Sequence, residues 1–98
     1  MPTMPVARVD DREEKHCSVP YRKGHFKTVF ANGKEVSGDG HLNTKHLLPC
    51  KCPVCCCMHD AALRATTRSV FCEGIRIGRV GDPTCTMVAQ GSPNVFSG

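Results

Sequence analysis

The chain contains no tryptophan, one tyrosine and four phenylalanines among its 98 residues, so few bulky side chains are available to fill a core. A domain this short buries only a modest apolar area even with a normal complement of aromatics. It therefore needs a second source of stability, either disulfides or a bound metal. Long apolar runs are also missing, and nothing approaches the roughly 20 residues that span a bilayer. The opening Met1-Pro-Thr-Met-Pro-Val6 lacks the apolar run and cleavage site of a secretory signal, which points to synthesis in the cytoplasm. Nor is there a block of like charges. The 13 basic and nine acidic residues are scattered and leave a formal charge of +4, an ordinary solvated surface. Helical periodicity is absent except at 59–65, which reads as one short turn before Thr66 and Thr67 favour extended chain.

Cysteine and histidine, by contrast, are plentiful, with eight and five copies. Five cysteines fall in the stretch Cys50-Lys-Cys52-Pro-Val-Cys55-Cys56-Cys57. Disulfide frameworks spread their cysteines so that each bridge ties distant segments, and neighbouring cysteines suit that poorly. A reduced protein holding a metal is the better reading. Cys17 and Cys72 read as small apolar fillers, and the two prolines within Leu47–Met58 make that segment an irregular loop. Asp10, Asp11, Glu13 and Glu14 read as a solvated acidic turn.

The strongest signal is an internal repeat. Thr28-Val-Phe-Ala-Asn-Gly33-Lys-Glu-Val36 is echoed by Ser69-Val-Phe-Cys-Glu-Gly74-Ile-Arg-Ile77, and Asn94-Val-Phe-Ser-Gly98 closes the chain as a truncated third copy. Each reads as a short strand, and in the two full copies Asn-Gly or Glu-Gly supplies the positive φ of a tight hairpin. A second element recurs as Ala7-Arg-Val-Asp-Asp11 and Gly78-Arg-Val-Gly-Asp82. In the middle copy the same spacing falls on His41, the aspartate being lost or displaced to Asp39. Three hairpin copies in one short chain indicate a compact β structure with pseudo-threefold symmetry. The repeats run roughly over 5–33, 34–74 and 75–98 of a single domain, 1–98.

The repeat aligns residues that bind metals. His16 follows Asp11, and His46 follows His41, by the same number of residues, and Cys85 is the corresponding polar group after Asp82. His59 lies beside the cysteine run and makes a natural fourth donor. Three imidazoles and one thiolate form a closed tetrahedral shell for zinc, one ion per chain, with iron left open. Cys52-Pro-Val-Cys55 is a single CxxC, so Cys52 and Cys55 remain alternative ligands, as does His41. Catalysis has little support, because a Cys57–His59 pair would lack an oxyanion hole or a surrounding motif. The other reading from the residues alone is a small zinc module binding nucleic acid through its basic face.

The Arg-Val-Gly-Asp element, the Val-Phe-x-x-Gly hairpins and the closing Gly91-Ser-Pro-Asn-Val-Phe96 resemble the PAAR-repeat proteins. His16-Cys-Ser-Val-Pro-Tyr-Arg22 resembles the His-x-x-x-Pro-x-Arg of phage-type members. The resemblance implies a mostly β, conical monomer of short hairpins with a metal near its apex, held by His16, His46, His59 and Cys85. It implies a partner, the trimeric β-helical spike of a contractile phage tail or type VI secretion machine, capped by one copy per trimer. It implies a place at the tip of the tail baseplate spike, with transient contact to the pierced cell envelope and no nucleic-acid partner. No toxin domain is expected after Gly98.

Overall fold

The computed structural model describes residues 3–15, 17–49 and 56–98. Its strands are short: β1 (Met4–Pro5), β2 (Phe30–Ala31), β3 (Lys34–Glu35), β4 (His46–Pro49), β5 (Cys56–His59), β6 (Phe71–Cys72), β7 (Ile75–Arg76) and β8 (Phe96–Ser97). They form four antiparallel pairs, β1–β8, β2–β3, β4–β5 and β6–β7. The β2–β3 turn has positive φ at Asn32 (56°) and Gly33 (76°), and the β6–β7 turn at Glu73 (50°) and Gly74 (79°). Two consecutive positive φ angles match the right-handed twist of the flanking strands, as the Asn-Gly and Glu-Gly dipeptides predict. The third copy has no such turn. β8 pairs instead with β1, so the two ends of the chain complete one strand pair.

Isolated two-stranded pairs this short are marginal in water, so other bonds must join them. Those bonds run in closed cycles. Ala7 N–H donates to Gly78 O, Ser37 N–H to Ala7 O, and Gly78 N–H to Ser37 O, each at 2.9 Å. A second cycle joins the copies through Val9 N–H to Glu35 O, Asp39 N–H to Arg76 O and Val80 N–H to Pro5 O, each at 2.9 Å. Separate bonds then tie each pair to the valine that precedes it. Val6 N–H bonds Val95 O, Val36 N–H bonds Val29 O, and Ile77 N–H bonds Val70 O, at 2.9–3.1 Å. The turn that follows is likewise repeated, with positive φ at Asp10 (70°), Gly40 (81°) and Gly81 (91°).

The same turn explains the recurring aspartate. Arg8 N–H donates to Asp11 Oδ2 (2.8 Å) and Arg79 N–H to Asp82 Oδ2 (2.9 Å). In the middle copy Gly38 N–H donates to His41 Nδ1 at 2.8 Å, so the imidazole occupies the carboxylate's place. Asp39 has not taken over that role, since its Oδ1 accepts from Ala65 N–H. Asp11 and Glu13 also depart from the solvated turn expected for them, because both are fully buried.

Two apolar clusters fill the interior. One holds Val6, Phe26, Ala31, Val36 and Ile77; the other holds Ala7, Leu63 and Val88. Leu63 lies in the segment expected to form a helical turn. Its N–H is bonded to His41 O and its O to Gly40 N–H, which uses the groups a helix would need. The expected loop over Leu47–Met58 also contains order: β4 and β5 pair from His46↔His59 to Pro49↔Cys56.

Two outcomes follow from this arrangement. A Cβ on Gly78 would stand 2.8 Å from Ser37 O and 2.9 Å from Leu63 Cδ1, so Gly78→Ala must spread the central cycle. It should lower stability by about 1–3 kcal/mol, read from denaturant unfolding. Burial first, then the positive charges of Arg22 and His25, hold His41 below the ordinary histidine value of 6.5, against an opposing pull from Glu73 and Asp39. The unfolded chain therefore takes up this proton at higher pH than the fold does. The His41 contribution is intact above about pH 6.5 and is lost as pH falls through the lower folded value. His41→Asp retains an acceptor for Gly38 N–H down to about pH 4. Its unfolding midpoint should fall less between pH 7 and 5 than that of the parent, roughly the range in which histidine titrates.

Candidate metal centre

Beyond the repeated turns, three excursions leave the hydrogen-bonded body. They are bounded by the bridges Arg12↔Tyr21, Leu42↔Ala62 and Pro83↔Met87. The first spans 13–20, the second 43–61 and the third only 84–86. Of the residues expected to bind metal, His46 and His59 fall on the second excursion and Cys85 on the third.

The second excursion carries the β4–β5 hairpin. His46 and His59 are direct cross-strand partners, so their side chains emerge on one face. The rings meet edge-on with centroids 4.3 Å apart and Nε2 atoms separated by 2.8 Å. Cys85, at the middle of the short third excursion, brings its Sγ to 3.2 Å from His46 Nε2. His46, His59 and Cys85 form a group whose donor atoms all lie within 4.8 Å of one another and can hold a metal ion. Tetrahedral zinc with ordinary bond lengths separates nitrogen donors by about 3.3 Å and nitrogen from sulfur by about 3.6 Å. The observed spacings are slightly tighter and need only a small outward adjustment.

The chemistry of the donors suits a borderline-soft cation. His46 is buried, and its Nδ1 lies 2.8 Å from Thr44 O. Donation from Nδ1–H to that carbonyl leaves the Nε2 lone pair directed at the group, the usual outer support of a metal-binding imidazole. Asn43 Nδ2–H donates to Cys85 Sγ at 3.6 Å.

The other candidates are distributed differently. His41 is not in the group, since its Nδ1 accepts from Gly38 N–H and its ring packs edge-on against Phe26. His16, Cys52 and Cys55 lie outside the described residues. Cys17 is not an apolar filler but is disulfide-bonded, while Cys72 and Cys85 are free thiols. Cys17 N–H and Ser18 N–H both bond Leu47 O, so the first excursion runs beside β4 directly after His46.

Beneath the group lies a buried polar junction that the sequence reading did not single out. Glu13, Asn43 and Thr84 each open one excursion. Glu13 Oε1 accepts from Asn43 Nδ2 (3.0 Å) and Thr84 Oγ1 (2.7 Å), and its Oε2 accepts from Arg22 Nη1 (2.7 Å). Arg22 occupies the inward position that Leu63 and Val88 fill in the other copies, as shown by Asp10 N–H→Arg22 O, Gly40 N–H→Leu63 O and Gly81 N–H→Val88 O. Both side chains of the Glu13–Arg22 pair have zero solvent exposure. Burial pushes the Arg22 guanidinium below its ordinary value, and Glu13 draws it back. The repeat alignment carried a signal for this arginine: one copy places a cation where its siblings place aliphatic residues.

No known family's sequence profile matches the chain, and no curated protein matches it. The geometry alone therefore supports the metal centre. Purified full chain should retain one zinc or similar ion, and Cys85→Ser or His46→Ala should remove it together with much of the folded signal. Elemental analysis and thermal unfolding check this; a folded, metal-free parent protein would contradict it.

Proposed function

We propose that this chain is the metal-stapled tip of a trimeric spike, a small pseudo-threefold cone whose broad face docks on its partner. The observation that carries this reading is the outward placement of three of the four phenylalanines. Phe30, Phe71 and Phe96 are 58%, 53% and 53% exposed, whereas Phe26 is 1% exposed. Each of the three begins a strand (β2, β6 or β8), and their strand partners are Glu35, Arg76 and Pro5. A chain so poor in aromatics has no folding reason to leave most of them in water. Large apolar groups left exposed at repeat-equivalent positions are what a repeated docking contact would use.

Three such positions on one chain suit a partner with three equivalent subunits. The cyclic order of the backbone bonds favours the same symmetry. The resemblance to PAAR-repeat proteins supplies the partner's nature: a β-helical spike of a contractile phage tail or type VI-like machine, whose open strand edges the tip would cover. On this reading the role is structural, and the tip sharpens the spike that pierces a target envelope. His46, His59 and Cys85 would hold zinc, with His16 as the fourth donor implied by the resemblance. When bound, the ion would tie the second and third excursions together through His46, His59 and Cys85. Closing several long loops on one centre removes entropy from the unfolded chain, and structural zinc as a whole contributes about 10–16 kcal/mol in small zinc domains.

The test is association of metal-loaded protein with the cognate spike trimer, followed by native mass spectrometry. One copy per trimer is the expected stoichiometry. Phe30→Ser, Phe71→Ser and Phe96→Ser should each weaken binding by roughly 30-fold, as for central apolar anchors. Folded, metal-loaded protein that fails to bind would overturn the proposal.

A further inference from the structure

The polar junction under the metal group carries a more specific inference, which rests on reading His46, His59 and Cys85 as metal donors. We propose that Asn43 is a positioning residue that sets the donor strength of the Cys85 sulfur through a side-chain N–H···S hydrogen bond.

The orientation of the Asn43 amide is over-determined. Its Oδ1 accepts from Ala61 N–H at 2.8 Å, and its Nδ2 lies 3.0 Å from Glu13 Oε1 and 3.6 Å from Cys85 Sγ. An amide nitrogen has two protons, and these two acceptors use them. Flipping the amide would set its oxygen against the Glu13 carboxylate and its NH2 against the Ala61 N–H. Both contacts are repulsive, so the network admits one orientation. Glu13 cannot swing away, because Arg22 Nη1 and Thr84 Oγ1 each hold it at 2.7 Å. Asn43, Glu13 and Arg22 have zero exposure, which leaves no room for water to replace the amide proton. The sulfur therefore receives a fixed donor.

Asn43 is also placed to couple all three described donors. It precedes Thr44, whose carbonyl supports His46 Nδ1. Through Ala61 it holds the strand end just after His59. Through Nδ2 it touches Cys85, whose neighbour Thr84 is bound to the same Glu13 oxygen. A hydrogen bond to a metal-bound thiolate withdraws electron density from sulfur, which weakens its charge donation and shifts its preference among ions. The chain thus selects its ion by a buried amide as well as by its ligands.

The experiment uses full-length protein loaded with cobalt or cadmium. In the cobalt form, Asn43→Ala should move the sulfur-to-cobalt charge-transfer band to longer wavelength, since sulfur regains electron density. Its cobalt affinity should nevertheless fall by about 10- to 100-fold, because losing the hold of Asn43 on Ala61, Glu13 and Cys85 outweighs the stronger sulfur. Should that variant not fold, the parent protein decides the matter. Isotope-edited NMR of the cadmium form should show scalar coupling between cadmium and an Asn43 side-chain amide proton, transmitted through Sγ. Cadmium bound without that coupling would overturn the role of Asn43 while leaving the metal centre standing. Failure to retain either ion would overturn the metal centre and this inference with it.

Discussion

Three backbone hydrogen bonds, from Ala7 to Gly78, Ser37 to Ala7 and Gly78 to Ser37, form the constraint on which the rest of the structure depends. Backbone groups buried away from water must find partners, and strands of two residues cannot supply them within a sheet. A closed cycle solves this with no strand edge left over at the centre. It also sets the spacing at which Val6, Val36 and Ile77 meet in one cluster and Ala7, Leu63 and Val88 in the next. Folding is then cooperative by geometry, because no member of the cycle is satisfied until all three segments arrive. A small apolar inventory suffices, since backbone pairing does much of the ordering that a larger core would otherwise impose.

Order at the centre changes character along the interior. Where two copies place Leu63 and Val88, the third places Arg22, whose Nε donates to Ser37 Oγ (3.1 Å) and whose Nη1 reaches Glu13. Taking such a pair out of water is costly, and an apolar substitute of similar volume is often no less stable. The compensation here is directional. Aliphatic side chains could fill this space, but they could not fix the Glu13 carboxylate, which accepts from both Asn43 and Thr84 beside Cys85. Stability is traded for a rigid seat under the donor atoms.

Much of this architecture could be read in the sequence because it is repeated. Val-Phe-x-x-Gly announced the β2–β3 and β6–β7 turns, since positive φ restricts residue choice so sharply. Counting from Gly33 placed His41 in the aspartate position, and the structure gives its Nδ1 the same hydrogen bond. Equivalence also led to His46 and Cys85, and proximity to the cysteine run led to His59. What spacing could not convey was burial. Asp10, Asp11, Glu13 and Glu14 look alike as a string of acids, yet Asp11 closes a turn by accepting from nearby Arg8, and Glu13 anchors the junction by accepting from Asn43 and Thr84, far away in sequence. The β4–β5 ladder was hidden by the prolines and cysteines, which mask strand patterning. The disulfide at Cys17 was equally illegible, since pairing depends on which segments meet in space.

The pairing of β1 with β8 has a consequence for how the protein is made. β1 finds its partner only far along the chain, at Phe96 and Ser97. Until that segment has been made, Val6 lacks Val95 and the corresponding corner of the molecule stays open. The body therefore cannot lock while β8 is still being synthesised, and everything between the two strands must wait for it.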